Sequence, residues 1–276
     1  MRGRERRTTP AAPSVIDFHN HLVPGVDDGA ATPDETRAAM ATMYAQGVRC
    51  IITTPHFNAS SSARPDEVAG WLAHLEPAWE QARRIAAEFP GLRLERGVEA
   101  ALDTPEPDFA DPRLRLAGTD FVLVEFPFMQ VPPNGKGALF QMKLRGWRPV
   151  VAHPERYSNA RSDLSDVAEW RGMGAFVQVN SGSLLGRYGE RPQRLAWRLL
   201  RRGYADYLSS DYHARGRCPV AEVRAELERR GGAIQARLLT EANPARLLAG
   251  EAPHPVAPLE AAAPLWARVM RRLRGR

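Results

Sequence analysis

His19 and His21 stand one residue apart directly after the first apolar run, in the string Asp17-Phe18-His19-Asn20-His21. Alternate residues of a strand share a face, so a strand ending here aims two imidazoles at one point. Neutral imidazole suits zinc, iron or manganese. A lone His-x-His pair reads as readily as two packed or solvated histidines, so the argument depends on what the rest of the chain adds. The chain holds 7 histidines. His56, His153 and His213 each follow a short β-rich apolar run, as His19 and His21 do, whereas His74 falls mid-helix and His254 in the tail. Carboxylates occupy equivalent positions: Glu99 and Glu125 end two such runs and Asp211 closes the last. An unpaired charge beside apolar sequence is costly. One such acid is a salt bridge or a helix cap. Three acids with five histidines point to a multinuclear metal site, in which a bridging carboxylate such as Glu99 holds two ions about 3.5–4 Å apart. Of Asp27 and Asp28 in the first loop, one is expected to reach the metals and the other to cap the helix that starts after Thr32.

The elements that must position these groups alternate. Strands are expected over 15–18, 49–53, 92–98, 121–126, 149–152, 175–180 and 205–209, and helices over 33–46, 65–88, 137–145, 164–172, 191–202 and 220–230. Strands alternating with helices argue for βα units on a parallel sheet. About seven units suggest barrel-like closure, and the C-terminal mouth of a parallel barrel is where catalytic groups gather. Thr32-Pro33-Asp34-Glu35 reads as a helix start. Gly47, Gly172 and Gly203 sit where left-handed helix caps occur.

Composition bounds the rest. At 276 residues and 43% hydrophobic, the chain can bury a large core without staples. Two cysteines make no disulfide framework, which fits a reducing, cytoplasmic location. No apolar run is long enough for a membrane span. Cys50 reads as core, and Cys218 is read as lying outside any Cys-x5-Arg phosphate cradle, so a thiol mechanism is disfavoured. Residues 1–13 read as a disordered Arg-rich leader, 14–250 as one catalytic domain, and 251–276 as a linker with a basic amphipathic segment. The formal charge of +6 is partly terminal. Solvated tails account for it, and attraction to nucleic acid, acidic lipid or a phosphorylated partner is the alternative. Leu265, Trp266, Val269, Met270 and Leu273 among arginines suggest either weak contact with a membrane surface or docking on the chain's own domain.

The segment Ile16-Asp17-Phe18-His19-Asn20-His21-Leu22-Val23-Pro24-Gly25-Val26-Asp27-Asp28-Gly29-Ala30 resembles the opening motif of the PHP (polymerase and histidinol phosphatase) superfamily. More narrowly, it is similar to bacterial PHP-type protein-tyrosine phosphatases encoded with capsular and exopolysaccharide genes. Thr53-Thr54-Pro55-His56, Gly97-Val98-Glu99, Leu123-Val124-Glu125-Phe126, Val151-Ala152-His153-Pro154-Glu155-Arg156-Tyr157, Gln178-Val179-Asn180-Ser181, Ser209-Ser210-Asp211-Tyr212-His213 and Asn243-Pro244 continue the match. The resemblance implies a distorted (β/α)7 TIM-like barrel, the PHP fold, holding three divalent metals, manganese first, with iron, zinc, magnesium or cobalt as alternatives. It assigns His19, His21, Glu99 and Asp211 to the first ion, Glu99, Glu125 and His153 to the second, and Asp28, His56 and His213 to the third. Arg156 resembles a phosphate-binding arginine. A second family arginine falls near Arg217, with Arg215 as the other choice.

What the resemblance implies about chemistry is hydrolysis of phosphotyrosine on a protein, with a metal-bound hydroxide attacking phosphorus and the arginines clamping the phosphate oxygens. The expected partner is a tyrosine kinase of polysaccharide synthesis and export. No nucleic-acid partner is expected, and a homo-oligomer stays open. The alternatives on the same site are a small-molecule phosphatase of the histidinol-phosphate kind, a nuclease, and a barrel that only binds a phosphorylated partner. A pocket sealed by long loops favours the small molecule, and an open mouth favours a protein tail.

Overall fold

The computed structural model describes residues 14–260; the leader 1–13 and the basic segment 261–276 lie outside the described residues. The strands are β1 (Val15–Asp17), β2 (Val48–Thr53), β3 (His56–Asn58), β4 (Arg93–Arg96), β5 (Glu99–Ala101), β6 (Phe121–Glu125), β7 (Arg148–Ala152), β8 (Phe176–Asn180) and β9 (Tyr207–Ser209). Every ladder among them is parallel, as βα units require. They form two sheets, ordered β1-β2-β4 and β3-β5-β6-β7-β8-β9. The two sheets are one surface in two pieces, because β2 and β3 are halves of a single strand path, as are β4 and β5.

The breaks have local causes. Pro55 lacks the N–H that an unbroken ladder would use. At Gly97, an added Cβ would meet Leu116 Cδ2 at 3.0 Å and Leu116 Cα at 3.3 Å, so the backbone passes where no side chain fits. Thr54 N still donates to Asn20 O (2.9 Å), Gly97 N to Thr53 O (3.0 Å) and Glu99 N to Pro55 O (3.1 Å). The expected continuous strand 92–98 is thus split, and an unexpected strand starts at His56. The last strand returns to the first: Asn20 bridges Tyr212, and Asp211 N donates to His19 O at 2.7 Å. The result is a distorted (β/α)7 barrel.

The helices are α1 (Pro33–Ala45), α2 (Pro65–Ala86), α3 (Gly135–Leu144), α4 (Ser165–Gly172), α5 (Ser181–Leu184), α6 (Glu190–Arg202), α7 (Val220–Arg229), α8 (Ala233–Arg237) and α9 (Asn243–Leu248), with a π turn over Leu238–Ala242. Thr32 Oγ1 accepts from Glu35 N (3.2 Å), and the Glu35 carboxylate accepts from Ala31 N (2.7 Å). A threonine and a glutamate therefore cap α1, and neither Asp27 nor Asp28 does. Gly47 and Gly203 take left-handed φ as expected, but Gly172 stays helical. Gly174, at φ +91°, makes that turn instead, because α4 runs on to its C-cap at Met173.

Side-chain parity on the strands separates core from site. Phe121 and Leu123 on β6, Val150 and Ala152 on β7, and Tyr207 on β9 share one buried cluster with Phe18, Ile52 and Leu247. Val122, Val124, Val151, Val177 and Val179 face the other way, into the cluster that includes Ala138 and Leu139 of α3, Trp170 of α4 and Leu195, Ala196, Leu199 and Leu200 of α6. On the first face each strand changes character toward its C-terminal end. Phe121 and Leu123 give way to Glu125, Phe176 to Gln178 and Asn180, and Tyr207 to Ser209 and Asp211. The apolar residues fill one end of the barrel, and the polar ones are left to converge at the other.

Candidate metal centre

The polar end gathers residues from every strand position. His19 and His21 extend from β1, and both are fully buried. The strand breaks put His56 opposite Glu99 in the β3–β5 ladder. His19 Nε2 lies 3.1 Å from Glu99 Oε1 and 3.3 Å from Asp211 Oδ1, and His21 Nε2 lies 3.3 Å from Glu99 Oε2 and 3.5 Å from Asp211 Oδ1. The His56 ring is 3.4 Å from Glu99 and 3.7 Å from Glu125. His56 and His213 both stand 3.4 Å from Asp28 Oδ1, and the His21 and His213 rings stack at 4.1 Å.

Three groups of ligand atoms emerge, each within 4.8 Å of one another: His19, His21, Glu99 and Asp211; His56, Glu99 and Glu125; and His21, Asp28, His56 and His213. All nine sequence-designated metal ligands meet here. His153 enters through the carboxylates, 2.9 Å from Glu99 and 4.0 Å from Glu125, although the donor group that includes Glu125 holds His56 in its stead.

The donor chemistry fits cations. His19 Nδ1 is turned to Gln178 Oε1 (2.9 Å) and His21 Nδ1 to Asp27 Oδ2 (2.6 Å). Their Nε2 atoms are buried with no hydrogen-bond partner and face the carboxylates. Outer partners that fix the far ring nitrogen are the usual support of a metal-ligating histidine. Charge tells the same story. Burial resists protonation of His19, but Glu99 and Asp211 outweigh it and push the imidazole up to about 9. Burial would also raise Glu99, yet His19, His153 and His21 hold it well below the usual carboxylate range. Glu125 is pushed up, first by burial and then by Glu99. The carboxylates outnumber the positive charge that the side chains alone supply, and divalent ions would replace those borrowed protons.

Backbone geometry is unusual at two of these positions. His153 has φ +32° and Asp211 φ +51°, left-handed values uncommon outside glycine, though Asp and His tolerate them better than most. Asp211 is held by Asn180 Nδ2 (2.8 Å) and by Arg156 Nη1 (2.6 Å). Sequence reasoning assigned roles to neither Gln178 nor Asn180. Their signal was an uncharged polar residue at every second position of an otherwise apolar strand. Asp27, weighed as a helix cap, instead orients His21.

Arg156 reaches the centre, whereas Arg215 and Arg217 are both exposed on the loop after Asp211. Arg187 donates to the Arg217 carbonyl and pairs with Glu222 at 2.8 Å, tying that loop down. Cys218 requires a correction: Arg224 does follow it at Cys-x5-Arg spacing. The segment forms no phosphate cradle, because it enters α7 and Arg224 pairs with Glu241 at 2.5 Å. Burial pushes the Cys218 and Cys50 thiols up to about 12.

The mouth is open. Asp28 is 62% exposed and His56 41%. Past Glu125, Phe128 stands 95% exposed beside a cleft of about 710 Å³ lined by Leu102, Pro127, Val131 and Pro133 among others. No helix among the described residues is long and apolar enough to cross a membrane.

Residues 15–249 match the family described as capsular polysaccharide synthesis, CpsB/CapC. The chain is 33% identical to the tyrosine-protein phosphatase YwqE of Bacillus subtilis over 201 residues, covering 72% of this chain and 77% of the relative. It is 28% identical to the tyrosine-protein phosphatase CpsB of Streptococcus pneumoniae over 244 residues, covering 85% of this chain and 98% of the relative. Among solved structures, it resembles one from work on YwqE and S. pneumoniae CpsB, described as unique metal-dependent tyrosine phosphatases, with TM-score 0.70, 28% identity and coverage of 89% of this chain and 99% of the other. A phosphotriesterase homology protein of Escherichia coli shares the fold at TM-score 0.51 and 12% identity, over 87% of this chain and 99% of the other.

Proposed function

The chain belongs to the CpsB/CapC family of capsular polysaccharide synthesis, and from that premise we propose that it is a metal-dependent tyrosine-protein phosphatase. Its substrate is a phosphotyrosine-bearing protein, and the partner we assign is a tyrosine kinase of polysaccharide synthesis and export in the cytoplasm. The catalytic unit is residues 14–250. The observation that carries the reading is the sharing of ligands: Glu99, His21 and His56 each serve two of the three donor groups, so ions held by these groups would be near enough to act on one phosphate. The exposed Asp28 and His56 side favours a protein-borne phosphate over a small molecule sealed by loops.

His19, His21, Glu99 and Asp211 would hold one ion, Glu99, Glu125 and His153 a second with His56 alongside, and Asp28, His56 and His213 a third. Manganese is the ion we assign. When bound, such ions supply Lewis acidity to phosphate oxygens and lower the pKa of water. The chain's own residues do the rest. Gln178 and Asp27 fix the His19 and His21 rings. Arg156, always charged, offers a planar fork to phosphate oxygens that lysine could not match. Arg217, or Arg215 beside it, adds the second cation from the loop that Arg187 anchors. A tyrosine leaving group, with a pKa near 10, departs with little protonation, so no general acid is demanded of the chain. Membrane contact through the C-terminal basic segment and self-association complete the proposal for partners.

The test is turnover of a phosphotyrosine peptide against histidinol phosphate, with metal content measured on the same preparation. We expect strong preference for the peptide, loss of activity on chelation and recovery with manganese. Preference for histidinol phosphate, or full activity in metal-free protein, would overturn the reading.

A further inference from the structure

The short connection between α5 and α6 carries an aromatic ring that the reaction as described leaves unused. Tyr188 is exposed by 40%, yet its ring is not idle on the surface. The Arg156 guanidinium lies over it, 4.3 Å from the centroid. Its hydroxyl turns inward toward Asn180 Nδ2 at 3.5 Å, and Asn180 in turn donates to Asp211. The space is reserved by Gly182, where an added Cβ would fall 2.9 Å from Tyr188 Cε2 and 3.1 Å from Asn180 Oδ1. The turn itself is closed by Arg187 N donating to Gly182 O at 3.0 Å.

Among the described residues the only side-chain hydrogen bond of Arg156 runs from Nη1 to Asp211. Its other donors are open to a ligand. A guanidinium tethered at a single nitrogen swivels. An aromatic face beneath it removes that freedom and favours the cation from the one direction that leaves the fork edge free. We propose that Tyr188 is a positioning residue for phosphate recognition: its ring face holds Arg156 flat, so the guanidinium donors not bound to Asp211 meet the phosphate oxygens already aligned. The inference deepens the phosphatase reading and rests on it for the identity of the substrate, but not for the binding of phosphate.

The test uses the metal-loaded full chain and inorganic phosphate, followed by calorimetry, together with turnover of a phosphotyrosine peptide. Tyr188→Leu removes the ring face. We expect about tenfold weaker phosphate binding and a similar loss in kcat/KM, equivalent to about 1.4 kcal/mol and within the range for a partly desolvated cation–π contact. Tyr188→Phe, which keeps the ring, restores most of both. In an Arg156→Ala background, Tyr188→Leu should add nothing, because the ring acts only through the arginine. Metal content and melting temperature of the Tyr188 variants serve as controls. The proposal is overturned if Tyr188→Leu leaves phosphate affinity intact, if its penalty persists without Arg156, if Tyr188→Phe is as damaged as Tyr188→Leu, or if the wild type binds no phosphate. A wild type that binds phosphate but ignores phosphotyrosine overturns the substrate assignment alone, and the Tyr188 comparison is still decided by the calorimetry.

Discussion

The two sides of the centre are made of the same residue types and built under opposite conditions. On one side, His19, His21, Glu99, His153 and Asp211 are all buried, and Gln178, Asp27 and Asn180 bond to ring nitrogens or carboxylates there. On the other, Asp28, His56 and His213 stand partly in solvent, and of their side chains only His213 Nδ1 finds a hydrogen-bond partner, the Asp211 carbonyl at 2.9 Å. Burial strengthens every charge interaction and makes each unpaired group expensive. The enclosed side must therefore be complete to be stable, while the open side can lose a ligand to water. The lesson is that ligands of one centre need not be equally costly to remove.

That contrast is easiest to break at Glu99, which belongs to two donor groups. Glu99→Gln should empty the enclosed side and lower kcat/KM about a thousandfold or more, the loss of several kcal/mol of transition-state stabilisation; metal analysis and kinetics on one sample would check it. Retention of all metal would mean that the enclosed side is not a unit. Next in size is Gln178→Ala, which frees the His19 ring without removing a ligand. Outer partners of this kind cost about 10–100-fold in metal affinity or activity, measurable by titration with manganese. Asp28→Asn on the open side should cost less, roughly tenfold, with part of the metal retained. Equal penalties for Asp28→Asn and Glu99→Gln would erase the distinction. The smallest effect belongs to the thiols. With both held near 12, iodoacetamide at neutral pH should leave activity unchanged. Rapid inactivation with labelling at Cys218 would reopen a thiol role.

The enclosed cluster was legible in the sequence because burial leaves a trace: a charged or imidazole residue at the end of an apolar run has few other comfortable explanations. The same logic exposed the seven strand positions and most of the helices. It failed where the deciding fact is spatial. The break at Gly97 depends on Leu116, which is close only in the folded chain. Gln178 and Asn180 are neutral, so they raise no alarm along the sequence, and their roles follow from the face they share with Phe176. Asp27 and Asp28 are indistinguishable as neighbours, and only the direction of the loop sends one behind His21 and the other to the mouth. The helical stretch from Ala233 to Leu248 lacks a simple period, since a π turn shifts its register midway. Tyr188 lies 32 residues from Arg156 in sequence, and nothing short of the fold brings them face to face.

The left-handed backbone at His153 and Asp211 constrains the protein's future as well as its present. Such conformations cost about 1–3 kcal/mol each unless the surroundings enforce them. A chain drifting toward greater hardiness would find easy relief by installing glycine at either place, and each such step would delete a proposed ligand. These two sites are thus closed doors to thermal adaptation: lineages that must survive heat have to gain their margin elsewhere, in loops and outer helices, and carry the same two kinks with them.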